Sequence, residues 1–112
     1  MIDQIMVMGE HEKFASALIS PNFNYFNDWK TSNKISFSDY EELIKQPLVL
    51  DLFSSEINRI NKRLSIPERI NRFRLVHDEW TPTTGELSPT LKLRRQFIHN
   101  KYKTIINQVY MK

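Results

Sequence analysis

The apolar positions of this chain fall into two periodicities. Ile2 to Met8 is a short run rich in Ile, Met and Val that stops at Gly9, which predicts a buried strand. Ala15, Ala17 and Ile19 alternate with Ser16 and Ser20, the period of a second strand. The intervening residues, Gly9 to Lys13, suit a hairpin connection. The period then lengthens. Ser20-Pro21 predicts an N-cap and a first-turn proline, opening a helix that turns Phe23, Phe26 and Trp29 inward and ends before Ser32-Asn33. Ser38-Asp39-Tyr40-Glu41 predicts a capping box and a second short helix to about Gln46. Pro47 opens the longest helix, with Val49, Phe53, Ile57, Ile60 and Leu64 on one stripe, and Ser65-Ile66-Pro67 ends it.

Arg69 to His77 returns to alternation, with Arg72 and Arg74 on one side and Phe73 and Leu75 on the other, a third strand. Thr81 to Glu86 is dense in turn formers, and Leu87 to Leu93 reads as an extended loop through Ser88-Pro89-Thr90. A last helix is predicted from about Arg94 to Tyr110, burying Phe97, Ile98, Tyr102, Ile105, Ile106 and Val109. The order β-β-α-α-α-β-α predicts a small α+β domain, a mainly antiparallel sheet of about three strands packed with about four helices. At 112 residues the chain, 1–112, is read as one domain.

Composition narrows the chemistry. The absence of cysteine removes disulfides, thiolate metal sites and cysteine nucleophiles. Gly9 and Gly85 are the two glycines, too few for a phosphate-cradling loop or a dinucleotide fingerprint within these residues. The longest aliphatic run, Ile5 to Met8, is far short of the ~20 apolar residues of a spanning helix. With Asp3 where a basic n-region would stand, no signal peptide is read, and cytoplasmic residence is expected.

Charge is divided between the halves. Residues 1–56 carry four Lys/Arg against nine acids, net −5, and residues 57–112 carry twelve against four, net +8. That asymmetry directs attention to a polyanionic partner of the basic half: nucleic acid, an anionic surface or a phosphate-rich small molecule.

His11, His77 and His99 show no helical pairing and read as surface or strand-end residues. Asp78 and Glu79 are adjacent on extended chain, point apart, and read as solvated. Tyr25, Phe26 and Trp29 beside Lys30 read as core rather than as a base-stacking platform. The segment Glu86-Leu87-Ser88-Pro89-Thr90-Leu91-Lys92-Leu93-Arg94-Arg95 differs from these. A proline-stiffened loop delivers Lys92, and two arginines follow at a helix start, where the macrodipole disfavours positive charge. Such local violations concentrate at functional sites, and Lys92 is a point charge suited to a phosphate or carboxylate.

The stretch Ile70-Asn71-Arg72-Phe73-Arg74-Leu75, then Trp80-Thr81-Pro82-Thr83-Thr84-Gly85-Glu86-Leu87-Ser88-Pro89-Thr90-Leu91-Lys92-Leu93-Arg94-Arg95, then Lys101-Tyr102 and Val109-Tyr110, resembles the C-terminal end of long-chain acyl-CoA synthetases, in the adenylate-forming, AMP-binding superfamily. Asp3 to Glu10 and Ala17 to Pro21 are similar to the start of the same small domain. The Ser/Thr-Pro-Thr-x-Lys-Leu-x-Arg form around Lys92 resembles the long-chain branch, with Leu91 standing where many superfamily members have glycine.

The resemblance implies a two-step ligase: a fatty-acid carboxylate attacks the α-phosphate of ATP, and CoA then takes the acyl group as AMP leaves. It implies that Lys92 supplies the adenylation charge, that Thr90, Arg94 and Arg95 make supporting substrate contacts, and that rotation of this domain presents another face to the CoA channel. The large N-terminal adenylation domain, with its phosphate loop, would be the covalent partner and would hold Mg²⁺. This domain alone is expected to bind no cofactor and to be inactive. A chain opening directly in a strand at Met1-Ile2-Asp3 reads as an excised C-terminal domain. Peripheral membrane association is compatible with an enzyme of long fatty acids. Two alternatives remain open: an adenylating enzyme that loads a carrier protein, and a small basic nucleic-acid module. Against the latter, the chain lacks a KH-type GxxG and an RRM aromatic signature, so nucleic acid is not the expected partner.

Overall fold

The computed structural model describes residues 1–9, 12, 14–33 and 36–110. The strands are β1 (Ile2–Met8), β2 (Ala15–Pro21) and β3 (Ile70–Leu75), in the spatial order β1-β2-β3. The helices are α1 (Phe23–Ser32), α2 (Tyr40–Leu43), α3 (Pro47–Asn61), α4 (Arg95–Lys101) and α5 (Lys103–Tyr110), with a 3-10 turn at Ile66–Glu68. The fold is α+β, as the sequence predicts.

β1 and β2 pair antiparallel, with Ile5 opposite Ile19 and Val7 opposite Ala17. β2 and β3 pair in parallel, so the sheet is mixed. The connection allows it: α1, α2 and α3 lie between β2 and β3, and parallel pairing needs a crossover of a dozen or more residues. The amide of Val76 continues the pairing beyond β3 by donating to the Ile19 carbonyl at 2.9 Å.

β2 is buried from Ser16 to Pro21, which makes it the central strand of two cores. Ala17 and Ile19 face one core with Phe23, Phe26, Leu43, Val49, Phe53 and Ile57 of α1–α3. Leu18 faces the other with Met6, Val76, Trp80, Ile98, Tyr102 and Ile106. Ser16 and Ser20, which alternation alone assigns to a polar face, lie buried on this second side. Ser16 Oγ donates to the Tyr110 hydroxyl at 2.6 Å and Ser20 Oγ to the Asp78 carbonyl at 2.8 Å, which satisfies both.

Three helix boundaries differ from the sequence expectation. Pro21 ends β2, and Asn22 rather than Ser20 caps α1, its Oδ1 accepting from the Tyr25 amide at 3.1 Å. The capping box sits one residue later than read. Asp39 Oδ1 accepts from the Glu42 amide at 2.8 Å, and Glu42 Oε2 accepts from Ser38 Oγ at 2.5 Å; α2 itself ends at Leu43 instead of near Gln46. The last helix is two. Tyr102 leaves helical geometry at φ −106°, ψ 23°, its hydroxyl tied sideways into the second core, and α5 restarts at Lys103. The apolar stripe Ile98, Tyr102, Ile106 and Val109 nevertheless stays buried across the break.

Candidate active site

Lys92 stands at the end of a loop closed by its own backbone. Leu87 and Leu93 form an antiparallel bridge, and the Arg94 amide donates to the Glu86 carbonyl at 2.8 Å. Inside that stem the Ser88 amide donates to the Lys92 carbonyl at 2.8 Å, and the Leu91 amide to the Ser88 carbonyl at 2.8 Å. Pro89 occupies the second position of the resulting four-residue turn, where its fixed φ is favourable. Ser88 Oγ accepts from the Lys92 amide at 3.1 Å and lies 3.0 Å from Thr90 Oγ1. The extended loop expected from the sequence is therefore a tight hairpin.

This geometry makes a demand at Leu91, whose φ is 64°. A turn followed by one left-handed residue usually takes glycine there. Leu91 adopts it and is 62% exposed. Lys92, next in the chain, is exposed, and its ammonium makes no ion pair among the described residues.

The other sequence-predicted site residues divide by partner. Thr90 is exposed at the tip. Arg94 Nη1 donates to the Gly85 carbonyl at 3.2 Å, and its guanidinium lies 5.3 Å from the centre of the Phe97 ring. Arg95 Nη1 donates to the Val7 carbonyl at 2.9 Å, bridging α4 to the edge strand β1. Both arginines are solvent-exposed. Each thus spends one donor on backbone and keeps others facing water.

Behind the loop lies a polar cluster that the sequence reading missed. Glu86 is fully buried. Its Oε2 accepts from Lys101 Nζ at 2.5 Å and its Oε1 from Thr84 Oγ1 at 2.5 Å. The Trp80 indole N–H donates to the Tyr102 hydroxyl at 3.1 Å, which donates to Asp78 Oδ2 at 2.9 Å. Asp78 is therefore half-buried and bonded, not simply solvated, with His77 Nδ1 at 3.5 Å and Lys101 Nζ at 3.8 Å. Burial, above all, pushes the Tyr102 phenol well above its ordinary value. The signal was present as Glu86 at a turn and Lys101-Tyr102 on a helix, but a lone charged loop residue reads as solvated until its partner is seen.

His99 is exposed, and His11 lies outside the described residues. Among the described residues no group of three or more His, Asp or Glu side chains is placed to hold a metal ion. No helix among them is long and apolar enough to cross a membrane.

Comparison with solved structures shows the fold. The fold matches the adenylation–carrier didomain of the carboxylic acid reductase of Segniliparus rugosus, determined with AMP, at a TM-score of 0.67 and 19% identity, over 97% of this chain and 14% of that one. The same fold is found in the adenylation domain of the carboxylate reductase of Mycobacterium chelonae, at a TM-score of 0.64 and 21% identity, over 97% of this chain and 15% of that one.

Sequence comparison gives the branch. The chain is 30% identical to the long-chain-fatty-acid–CoA ligase FadD15 of Mycobacterium tuberculosis over 113 aligned residues, 100% of this chain and 19% of that protein. It is 37% identical over 70 residues to the long-chain-fatty-acid–CoA ligase heimdall of Drosophila melanogaster, 62% of this chain and 10% of that protein. No family model matches. The chain is a relative of the C-terminal part of long-chain fatty-acid–CoA ligases, and it spans about a fifth or less of the length of these curated relatives.

Proposed function

We propose that this chain, 1–112, is the C-terminal domain of a ligase that activates a long-chain fatty acid with ATP and passes the acyl group to CoA. The observation that carries the proposal is Lys92: an exposed ammonium with no ion pair among the described residues, at the end of a closed hairpin loop, in a chain whose whole length aligns with such ligases.

In the first step a carboxylate oxygen bonds to the α-phosphorus of ATP and pyrophosphate leaves. Two anions must approach, so fixed positive charge at the reacting oxygens lowers the barrier. Lys92 is the group for that task. Its stem is closed by backbone hydrogen bonds, and its ammonium makes no ion pair among the described residues. Exposed Thr90 lies beside it, and the outward donors of Arg94 and Arg95 add positive potential around the same end of α4. In the second step the thiol sulfur of CoA bonds to the acyl carbon, and AMP leaves with the bonding electrons. Lys92 has no part in that displacement. Rotation of this domain against the large one withdraws the hairpin and turns another face to the CoA channel. ATP, fatty acid and CoA are thus substrates met together with the N-terminal adenylation domain, which also takes the metal that accompanies ATP.

The test uses the full-length protein with a long-chain fatty acid. Pyrophosphate exchange into ATP that depends on the fatty acid, followed by CoA-dependent release of AMP, is expected. Absence of fatty-acid-dependent exchange would overturn the proposal.

A further inference from the structure

The loop that carries Lys92 is joined to the rest of the fold through Glu86. Glu86 forms one side of the stem, since its carbonyl accepts from the Arg94 amide at 2.8 Å. Its carboxylate points the other way, into the second core, where it is fully buried. A buried carboxylate is costly unless its charge is met and its lone pairs are filled. Lys101 Nζ and Thr84 Oγ1 do both, each at 2.5 Å. Tyr102 Oη stands 3.5 Å from the same Oε2 and is held by Trp80 and Asp78. Lys101 sits at the last position of α4, whose first position is Arg95. The stem and the helix that follows it are therefore tied at both ends of α4: Arg94 to Gly85 at one, Lys101 to Glu86 at the other.

We propose that the Glu86–Lys101 ion pair is a positioning device for Lys92. It locks the base of the hairpin against α4, so that the ammonium is presented along one direction rather than over the many a free surface loop would allow. Neither residue touches substrate. The proposal rests on the reading of Lys92 given above and adds what fixes that lysine in place. A buried pair of this kind contributes little net stability, yet loss of one partner strands a buried charge. Its value lies in the single geometry it permits, and misplacing a reacting group by about 1 Å costs up to about 10²-fold in rate.

The experiment compares Glu86→Gln, Lys101→Met, Lys101→Arg and Lys92→Ala in the full-length protein. Two readouts are taken: kcat and KM for each half-reaction, and amide hydrogen exchange over residues 86–94. Glu86→Gln and Lys101→Met are expected to lower kcat for adenylation by about tenfold or more, within the ceiling set by misplacement. The KM for ATP and thioester formation from supplied acyl-adenylate should stay unchanged, with exchange in Glu86→Gln faster over 86–94 only; that variant leaves the part-exposed Lys101 beside Asp78 rather than a stranded buried carboxylate. Lys101→Arg keeps the charge and should restore most of the rate. The proposal is overturned if in Glu86→Gln both half-reactions fall together with exchange rising across the chain, or if Glu86→Gln leaves the loop's exchange at the wild-type rate. If Lys92→Ala retains adenylation, the reading of Lys92 falls, and exchange over 86–94 in Glu86→Gln still decides the anchor.

Discussion

The ring of Phe97 occupies the space that a side chain on Gly85 would need: a Cβ built there would approach Phe97 Cζ to 2.6 Å. Gly85 also has φ +101°, a conformation that L side chains rarely adopt. The two constraints coincide because Gly85 is where the Thr81–Thr84 turn hands the chain to the Lys92 hairpin, and Phe97 on α4 packs onto that joint. Gly85→Ala is expected to destabilise the protein by about 1–3 kcal/mol through strain and overpacking. Urea unfolding measures it. Phe97→Leu in the same chain should recover part of the loss, since it relieves the contact but not the backbone. A Gly85→Ala protein as stable as the parent would refute this account of the joint.

Leu91 gives the converse case. Its φ of 64° imposes a left-handed cost of roughly 1–2 kcal/mol on a residue with a Cβ. Glycine removes that cost and adds about 0.5–1 kcal/mol of unfolded-state entropy. Leu91→Gly should therefore be neutral to modestly stabilising, whereas β-branched Leu91→Val should destabilise. Thermal melts of the pair check the ordering, and the reverse ordering would mean that Leu91 is not left-handed in solution.

Tyr102 couples the second core to pH. Its phenol is raised above the ordinary 10.0, by burial first, with the hydrogen bond to Asp78 adding to the rise and that from Trp80 opposing it. A raised folded value means that the native state holds this proton more tightly than the unfolded chain. The contribution is complete below pH 10 and declines as pH climbs above it. Stability should fall with pH from about 10 upward, and less steeply in Tyr102→Phe, which lacks the titrating group. The same variant leaves the buried Trp80 indole N–H without its acceptor, a loss of about 1–3 kcal/mol at neutral pH. Parallel alkaline slopes for the two proteins would contradict the assignment.

The first core offers a plainer check. Phe26 and Phe53 are fully buried, with ring centres 5.8 Å apart, between α1 and α3. Phe53→Ala should cost about 3–5 kcal/mol, as expected for a phenylalanine truncated in a closed core. A cost below 1 kcal/mol, read by denaturant unfolding, would mean that α3 is not packed as described.

The residues whose meaning was legible are those whose neighbours are local. β1, β2 and the stripe Val49, Phe53 and Ile57 of α3 follow from period alone, because each buries a face that its own spacing defines. Lys92 was singled out because two arginines follow it at a helix start against the macrodipole, and its role came from the resemblance around it. Ser20 misled as a cap, since its true partner, the Asp78 carbonyl, lies 58 residues away. Asp78 read as solvated, and Glu86 drew no role of its own, because Tyr102 and Lys101 come to them only after α4 folds back. The parallel pairing of β2 and β3 and the break at Tyr102 are likewise set by tertiary contacts, which a one-dimensional period does not contain.

The central claim concerns one ammonium group and one of two chemical steps. Lys92→Ala in the full-length protein, assayed separately for fatty-acid-dependent pyrophosphate exchange and for thioester formation from supplied acyl-adenylate, tests it most directly. Exchange should fall by about 10²–10³-fold, the usual loss on removing one preorganised stabilising group, while thioester formation proceeds at the parent rate. Equal loss of both half-reactions, or undiminished exchange, would contradict the role assigned to Lys92.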